Sequence, residues 1–154
     1  MRSGPAQLVT HNPVKKALKE GQPAIGSWIS LCSPASAEHM ASVGWDWLVI
    51  DAQHRPVGVD TMVNSFRAIQ LGGAVPMARV PWLDTVWIQR TLDAGALGLV
   101  IPMINSREEA ERAVANCKYA QEGVRSCGGG RMSLYTKEEY REFAQHELCT
   151  LVMI

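Results

Sequence analysis

The chain has 154 residues, 47% hydrophobic and 19% charged, with 15 basic and 15 acidic side chains and a formal net charge of zero. This length favours one domain, and the composition is that of a globular chain with enough apolar material for a core. Balanced charge offers no basis for a nucleic-acid or anionic-membrane partner, no apolar run reaches the length of a membrane span, and Arg2 is not followed by the apolar stretch of a secretory signal.

Residues 1–12 read as a flexible lead-in. A short helix is expected over 14–20, with Asn12 as N-cap, Pro13 at its first position and Gly21 just past its end. Strands and helices then alternate. A first strand is expected over 24–31, followed by a helix from Ser33-Pro34 to about Val43, with Ser33 as cap and Gly44 as stop. The second strand covers 46–51. The helix over 59–71 carries Met62, Phe66 and Ile69 on one side and closes at Gly72-Gly73. A third strand covers 74–79, and a helix over 84–93 carries Val86, Ile88 and Leu92. The fourth strand, 98–101, is a continuous apolar run stopped by Pro102. Ser106 and Glu109 form a capping box for a helix reaching about Lys118. A glycine-rich loop follows to Met132. A polar helix covers 136–146, with Thr136 and Glu139 as a second capping box, and a fifth strand covers 149–154.

Continuous rather than alternating apolar strands indicate a parallel sheet buried on both faces. An open doubly wound sheet and a (β/α)8 TIM barrel both fit. The first strand-to-helix turn has no Gly-x-Gly-x-x-Gly, so dinucleotide binding loses its main support. A full barrel takes about 250 residues. The spacing here is that of the first five βα units, with Ile154 ending an apolar strand. Residues 1–154 are therefore expected to be the N-terminal part of a single barrel domain.

Strand ends carry the chemistry. The second strand ends in Asp51, with His54 three residues later, and the third ends in Arg79. In parallel α/β folds such ends form the mouth where sites are built. An acid, an imidazole and a guanidinium there suit a small anion. Each has an ordinary alternative: a loop histidine, a capping acid, or a surface arginine paired with Asp84 or Asp93. His11, His39 and His146 read as structural or solvated. Among the tryptophans, Trp28 and Trp82 lie near strand ends and can line a pocket; Trp45, Trp47 and Trp87 read as packing residues. Gly128-Gly129-Gly130-Arg131 lacks the Gly-Lys-Ser/Thr ending of a phosphate loop and reads as a mobile active-site loop. Cys32, Cys117, Cys127 and Cys149 form no Cys-x-x-Cys pair, so reduced thiols in a cytoplasmic protein are expected rather than disulfides or zinc. A neutral surface favours association, hence an oligomer.

Asp51-Ala52-Gln53-His54 followed by Arg79-Val80-Pro81 resembles the HpcH/HpaI aldolase/citrate lyase family, the metal-dependent class II pyruvate aldolases. Within it the resemblance is to the 2,4-dihydroxyhept-2-ene-1,7-dioic acid and 2-dehydro-3-deoxygalactarate aldolases. It continues through Ile88-Gln89-Arg90-Thr91-Leu92-Asp93-Ala94-Gly95, Val100-Ile101-Pro102-Met103, Glu109-Ala110 and Lys118-Tyr119 to Gly123-Val124-Arg125-Ser126. It implies a (β/α)8 barrel and a carbon–carbon lyase that cleaves a 4-hydroxy-2-keto acid to pyruvate and an aldehyde.

By that resemblance His54 handles the proton of the aldol hydroxyl through a metal-bound water, with Asp51 as its acidic partner. Arg79 holds the keto acid and its enolate, Asp93 stands near the aldehyde side, and Arg125 braces the site or packs its loop. A divalent metal, Mg²⁺, Mn²⁺ or Co²⁺, is implied as Lewis acid, with its acidic ligands beyond Ile154 and none in this chain. The implied partner is a small keto acid, and the implied assembly a homo-oligomer, hexamer or trimer. The family's Asp-Gly-Glu-His reads Asp51-Ala52-Gln53-His54 here, replacing a carboxylate by an amide, and its Tyr-Pro-Pro reads Tyr119-Ala120-Gln121. These departures keep open a related citrate-lyase or macrophomate-synthase type of enolate chemistry. A chain that lacks the metal ligands and is not catalytic by itself is the third expectation.

Overall fold

The computed structural model describes residues 11–128, 131 and 137–154. Gly26–Ile29 (β1), Trp47–Asp51 (β2), Val75–Arg79 (β3), Gly98–Ile101 (β4) and Cys149–Val152 (β5) form one sheet. Every neighbouring pair is parallel, and the spatial order is the order of sequence. The helices are Pro13–Lys19 (α1), Pro34–Ala41 (α2), Val59–Leu71 (α3), Thr85–Ala94 (α4), Arg107–Cys117 (α5) and Lys137–His146 (α6). A doubly wound sheet reverses its strand order at a switch point. This one advances in a single direction, so its strands are the first five of a (β/α)8 barrel, and the open-sheet alternative falls.

The helices sit where local chemistry starts them. Asn12 Oδ1 accepts from the backbone N–H groups of Val14 and Lys15 at 3.1 and 3.3 Å. Its Nδ2 donates to the Leu97 carbonyl at 2.9 Å and its backbone N–H to Glu147 at 2.8 Å, so this fully buried amide leaves no polar atom stranded. Lys15 Nζ donates to the carbonyls of His146 and Leu148, tying α1 to the end of α6. Asp84 caps α4 through the Trp87 N–H, and Ser106 caps α5 through the Glu109 N–H. Glu109 returns to the N–H of Asn105, one residue earlier than a capping box requires. Gly95 ends α4 at φ 113°, a left-handed conformation that glycine adopts without steric cost.

Several expectations shift. Ser33 occupies the N-cap of α2 without making a side-chain cap bond. Strand β1 is shorter than 24–31, and β5 ends at Val152. Val86 faces solvent while Ile88 and Leu92 are buried. The lead-in over 1–10 and the Thr136 cap lie outside the described residues.

Register assigns the two faces of the sheet. The Cys117 thiol of α5 lies beside the Thr150 side chain, so Thr150 faces the helices. Its cross-strand row, Thr150–Leu99–Ala78–Ile50–Ile29, therefore faces outward, and Ile101 and Leu48 share that face by alternation. The helices cover it with Met62, Phe66, Ile69, Ile88, Leu92 and Ala113, all buried. The opposite, concave face carries Trp28, Trp47, Val49, Asp51, Val75, Met77, Arg79 and Val100. Glycine permits close packing there: a Cβ on Gly26 would collide with Trp47, and one on Gly98 with Met77. At the mouth of this face stand Asp51 and Arg79.

Candidate active site

Asp51 and Arg79 end adjacent strands and are register partners. Their side chains meet as two planar forks: Arg79 Nε donates to Asp51 Oδ1 at 3.0 Å and Nη2 to Oδ2 at 2.8 Å. Both are mostly shielded, with 15% of the arginine side chain and 7% of the aspartate side chain exposed. The backbone N–H groups of Gln53 and His54 also donate to Asp51 Oδ1, at 3.0 and 3.2 Å. Burial alone would raise the Asp51 pKa. The Arg79 fork and the two backbone donors outweigh it and hold the carboxyl below its ordinary value. The indole of Trp28, on β1, lies over the guanidinium at 4.8 Å from ring centre to Cζ. His54 is exposed on the loop after β2.

This geometry revises the expected pairing of Asp51 with the His54 imidazole. The carboxylate accepts from the backbone N–H groups of Gln53 and His54 and from the Arg79 fork, so its hydrogen bonds go to the arginine and the loop backbone and not to the ring. Arg79 in turn pairs with neither Asp84 nor Asp93.

Asp93 does not join this group within the chain. Helix α4 leaves the C-terminal rim after Arg79 and runs back along the sheet, and Asp93 stands one residue before its end. At about 1.5 Å per residue it lies roughly 12 Å down the axis from Thr85, at the rim where strands begin. There it binds Arg125 at 2.8 Å, and Arg125 Nη1 donates to the Tyr140 hydroxyl at 3.1 Å. Tyr119 and Tyr140 lie against the same guanidinium, at 4.7 and 5.4 Å from ring centre to Cζ. Arg125 thus packs its loop. The described part of the glycine-rich segment belongs to this lower rim: Gly128 neighbours the Asp93 carboxylate, and Arg131 lies against Gly95 and donates to Gln70. Gly129, Gly130 and Met132 of that segment lie outside the described residues. The sequence reading missed Tyr119 and Tyr140 as clasps of Arg125 and counted Trp28 only as a pocket-lining candidate. Its placement is a matter of tertiary register, which sets Trp28 beside Val49, on the same face as Asp51.

Among the described residues, no group of three or more His, Cys, Asp or Glu side chains could hold a metal ion. Asp51 is committed to Arg79. These residues do not fit a metal by themselves, and the steps open to them are anion binding and proton transfer. No described helix is long and apolar enough to cross a membrane.

A singly wound parallel sheet with an acid–guanidinium fork at its C-terminal rim defines the class: a (β/α)8-type chain with polar side chains at the strand ends where such barrels build their sites. The chain matches HpcH/HpaI aldolase/citrate lyase over residues 24–154, and it belongs to that family. It is 40% identical over 146 residues to a 4-hydroxy-2-oxo-heptane-1,7-dioate aldolase of Salmonella typhimurium, covering 93% of this chain and 56% of that protein. It superposes on an HpcH/HpaI aldolase/citrate lyase family protein from Burkholderia cenocepacia with TM-score 0.84 at 30% identity, covering 92% of this chain and 58% of that one. An HpcH/HpaI aldolase from Desulfitobacterium hafniense follows with TM-score 0.81 at 25% identity, covering 92% and 56%. The chain spans about half the length of the curated relatives it matches.

Proposed function

We propose that the intact protein is a carbon–carbon lyase that reversibly cleaves a 4-hydroxy-2-oxo acid to pyruvate, or a related 2-oxo acid, and an aldehyde. The observation that carries this reading is the Asp51–Arg79 fork on the concave face at the C-terminal rim, with the His54 loop beside it. Asp51 occupies the Nε/Nη2 edge of the guanidinium, and Nη1 has no hydrogen-bond partner among the described residues. The remaining Nη1/Nη2 edge suits a carboxylate and the oxygen on which enolate charge develops. His54 takes the proton from the C4 hydroxyl. The C3–C4 bond breaks, the aldehyde leaves, and the electron pair stays on the 2-oxo acid as its enolate. Asp93 and Arg125 hold the lower rim.

The metal-dependent class implies a divalent ion, and Mg²⁺, Mn²⁺ or Co²⁺ with ligands from other residues belongs to this proposal. So do a cytoplasmic location and a trimeric or hexameric assembly, which sedimentation would check. The decisive measurement is pyruvate release from 4-hydroxy-2-oxo acids by the intact protein, with and without chelator. Release that chelator abolishes and Mn²⁺ restores supports the reading; no release with any of the three metals overturns it.

A further inference from the structure

Arg79 is held on more than its Asp51 side, and the second constraint has its own consequence. Trp28 lies on β1. Its register partner is Val49, two residues before Asp51, which puts the indole on the same concave face as Asp51 and Arg79. The ring covers one face of the guanidinium at 4.8 Å, while the Asp51 fork immobilises the Nε/Nη2 edge. A guanidinium has two donor edges and two faces. One edge is consumed and one face is stacked, and the Nη1/Nη2 edge remains for an anion arriving in the guanidinium plane.

We propose that Trp28 is a positioning residue for Arg79, and that the two together make a receptor selective for a planar carboxylate presented edge-on, as in a 2-oxo acid. The inference rests on the proposed function and deepens it. The indole contributes attraction to the cation's face and excludes water from that face. It also restricts rotation about the last side-chain bonds, so the donor edge is aimed before the anion arrives. Asp51 fixes the plane of the fork from one side, and Trp28 fixes its tilt.

The test compares Trp28→Leu and Trp28→Phe in the intact protein. An aromatic face survives in the second variant and is lost in the first. Pyruvate serves as the probe, both as a binding ligand in calorimetry and as substrate in the condensation direction. Trp28→Leu is expected to raise the pyruvate KM and dissociation constant about 3- to 30-fold, the range of one cation–π contact, with kcat changing much less. Trp28→Phe is expected to recover most of that loss. Independently of activity, the Arg79 Nε–H resonance, assigned by its disappearance in Arg79→Lys, lies in the ring current of Trp28. It is expected to move in Trp28→Leu.

An Nε–H signal that does not respond to Trp28→Leu overturns the stacking. Pyruvate binding unchanged in Trp28→Leu, or a raised KM accompanied by an equal fall of kcat and a lowered melting temperature in both variants, overturns the positioning role while leaving the aldolase reading intact. A wild-type protein whose Nε–H signal responds to Trp28→Leu, but which neither binds nor releases pyruvate, sinks the aldolase reading and with it the keto-acid receptor.

Discussion

Two arginine–aspartate pairs, one at each rim of the sheet, share a 2.8 Å closest contact and serve opposite ends. At the lower rim the Arg125 side chain is fully buried, bonded to Asp93 and Tyr140 and flanked by two tyrosine rings. At the upper rim the Arg79 side chain keeps 15% exposure, one stacked face and an untaken donor edge. The first is closed and holds a loop to a helix end. The second is held by the Asp51 fork and the Trp28 ring, with Nη1 unpartnered among the described residues. Each guanidinium leaves one nitrogen without a partner among the described residues, Nε of Arg125 and Nη1 of Arg79; the first is sealed from solvent and the second is not.

The comparison breaks first at Arg79. Arg79→Met is expected to lower turnover by about 10²- to 10³-fold, the scale of losing an aimed donor at developing charge, with the fold retained although the shielded Asp51, left without its counter-charge, lowers the melting temperature. An equal loss of folding would make this pair structural like the other.

Asp93→Ala is the mirror experiment. It leaves Arg125 buried without its counter-charge and is expected to cost about 3 kcal/mol of stability, read by urea denaturation. Retained stability would show that the tyrosine rings suffice.

The Asp51 pair carries a pH signature of its own. The Asp51 carboxyl lies below its ordinary value in the folded chain, so its contribution to stability is fully present above the ordinary carboxylate range. That contribution is lost as pH falls through the lowered value. Melting curves taken downward from neutral pH should show this acid limb flattened in Asp51→Asn, and an unchanged limb would deny Asp51 its share.

The smallest effect belongs to neither rim pair. Ser106→Ala removes the α5 cap and is expected to cost about 0.5–1 kcal/mol with turnover preserved, which sets the baseline for a purely local loss.

Much of the fold was legible because it is written in local chemistry. Asn12 with Pro13, Asp84 before α4, Ser106 with Glu109, and the glycines closing α3 and α4 all act over a few residues of chain. The 3.6-residue spacing of Met62, Phe66 and Ile69 gave α3 its bounds. The strand-end placement of Asp51 and Arg79 followed from the same reading.

What escaped it depends on neighbours distant in sequence. Ser33 has the right residue type for a cap and makes no cap bond. Asp93 stands in a motif that resembles part of the site, yet the direction of α4 carries it to the far rim. Proximity along the chain pairs Asp51 with the His54 imidazole, whereas a neighbouring strand delivers the bidentate partner Arg79.

The sequence by itself determined a parallel βα chain of barrel type and family membership, with an acid, a cation and a histidine near one set of strand ends. These follow from periodicity, caps and motif order, which need no knowledge of what lies across the sheet. Only the tertiary structure decided which cation meets which acid, which donor edge stays open, and that Trp28 covers Arg79. Those outcomes are set by strand register and helix direction, and register relates residues that the chain keeps far apart.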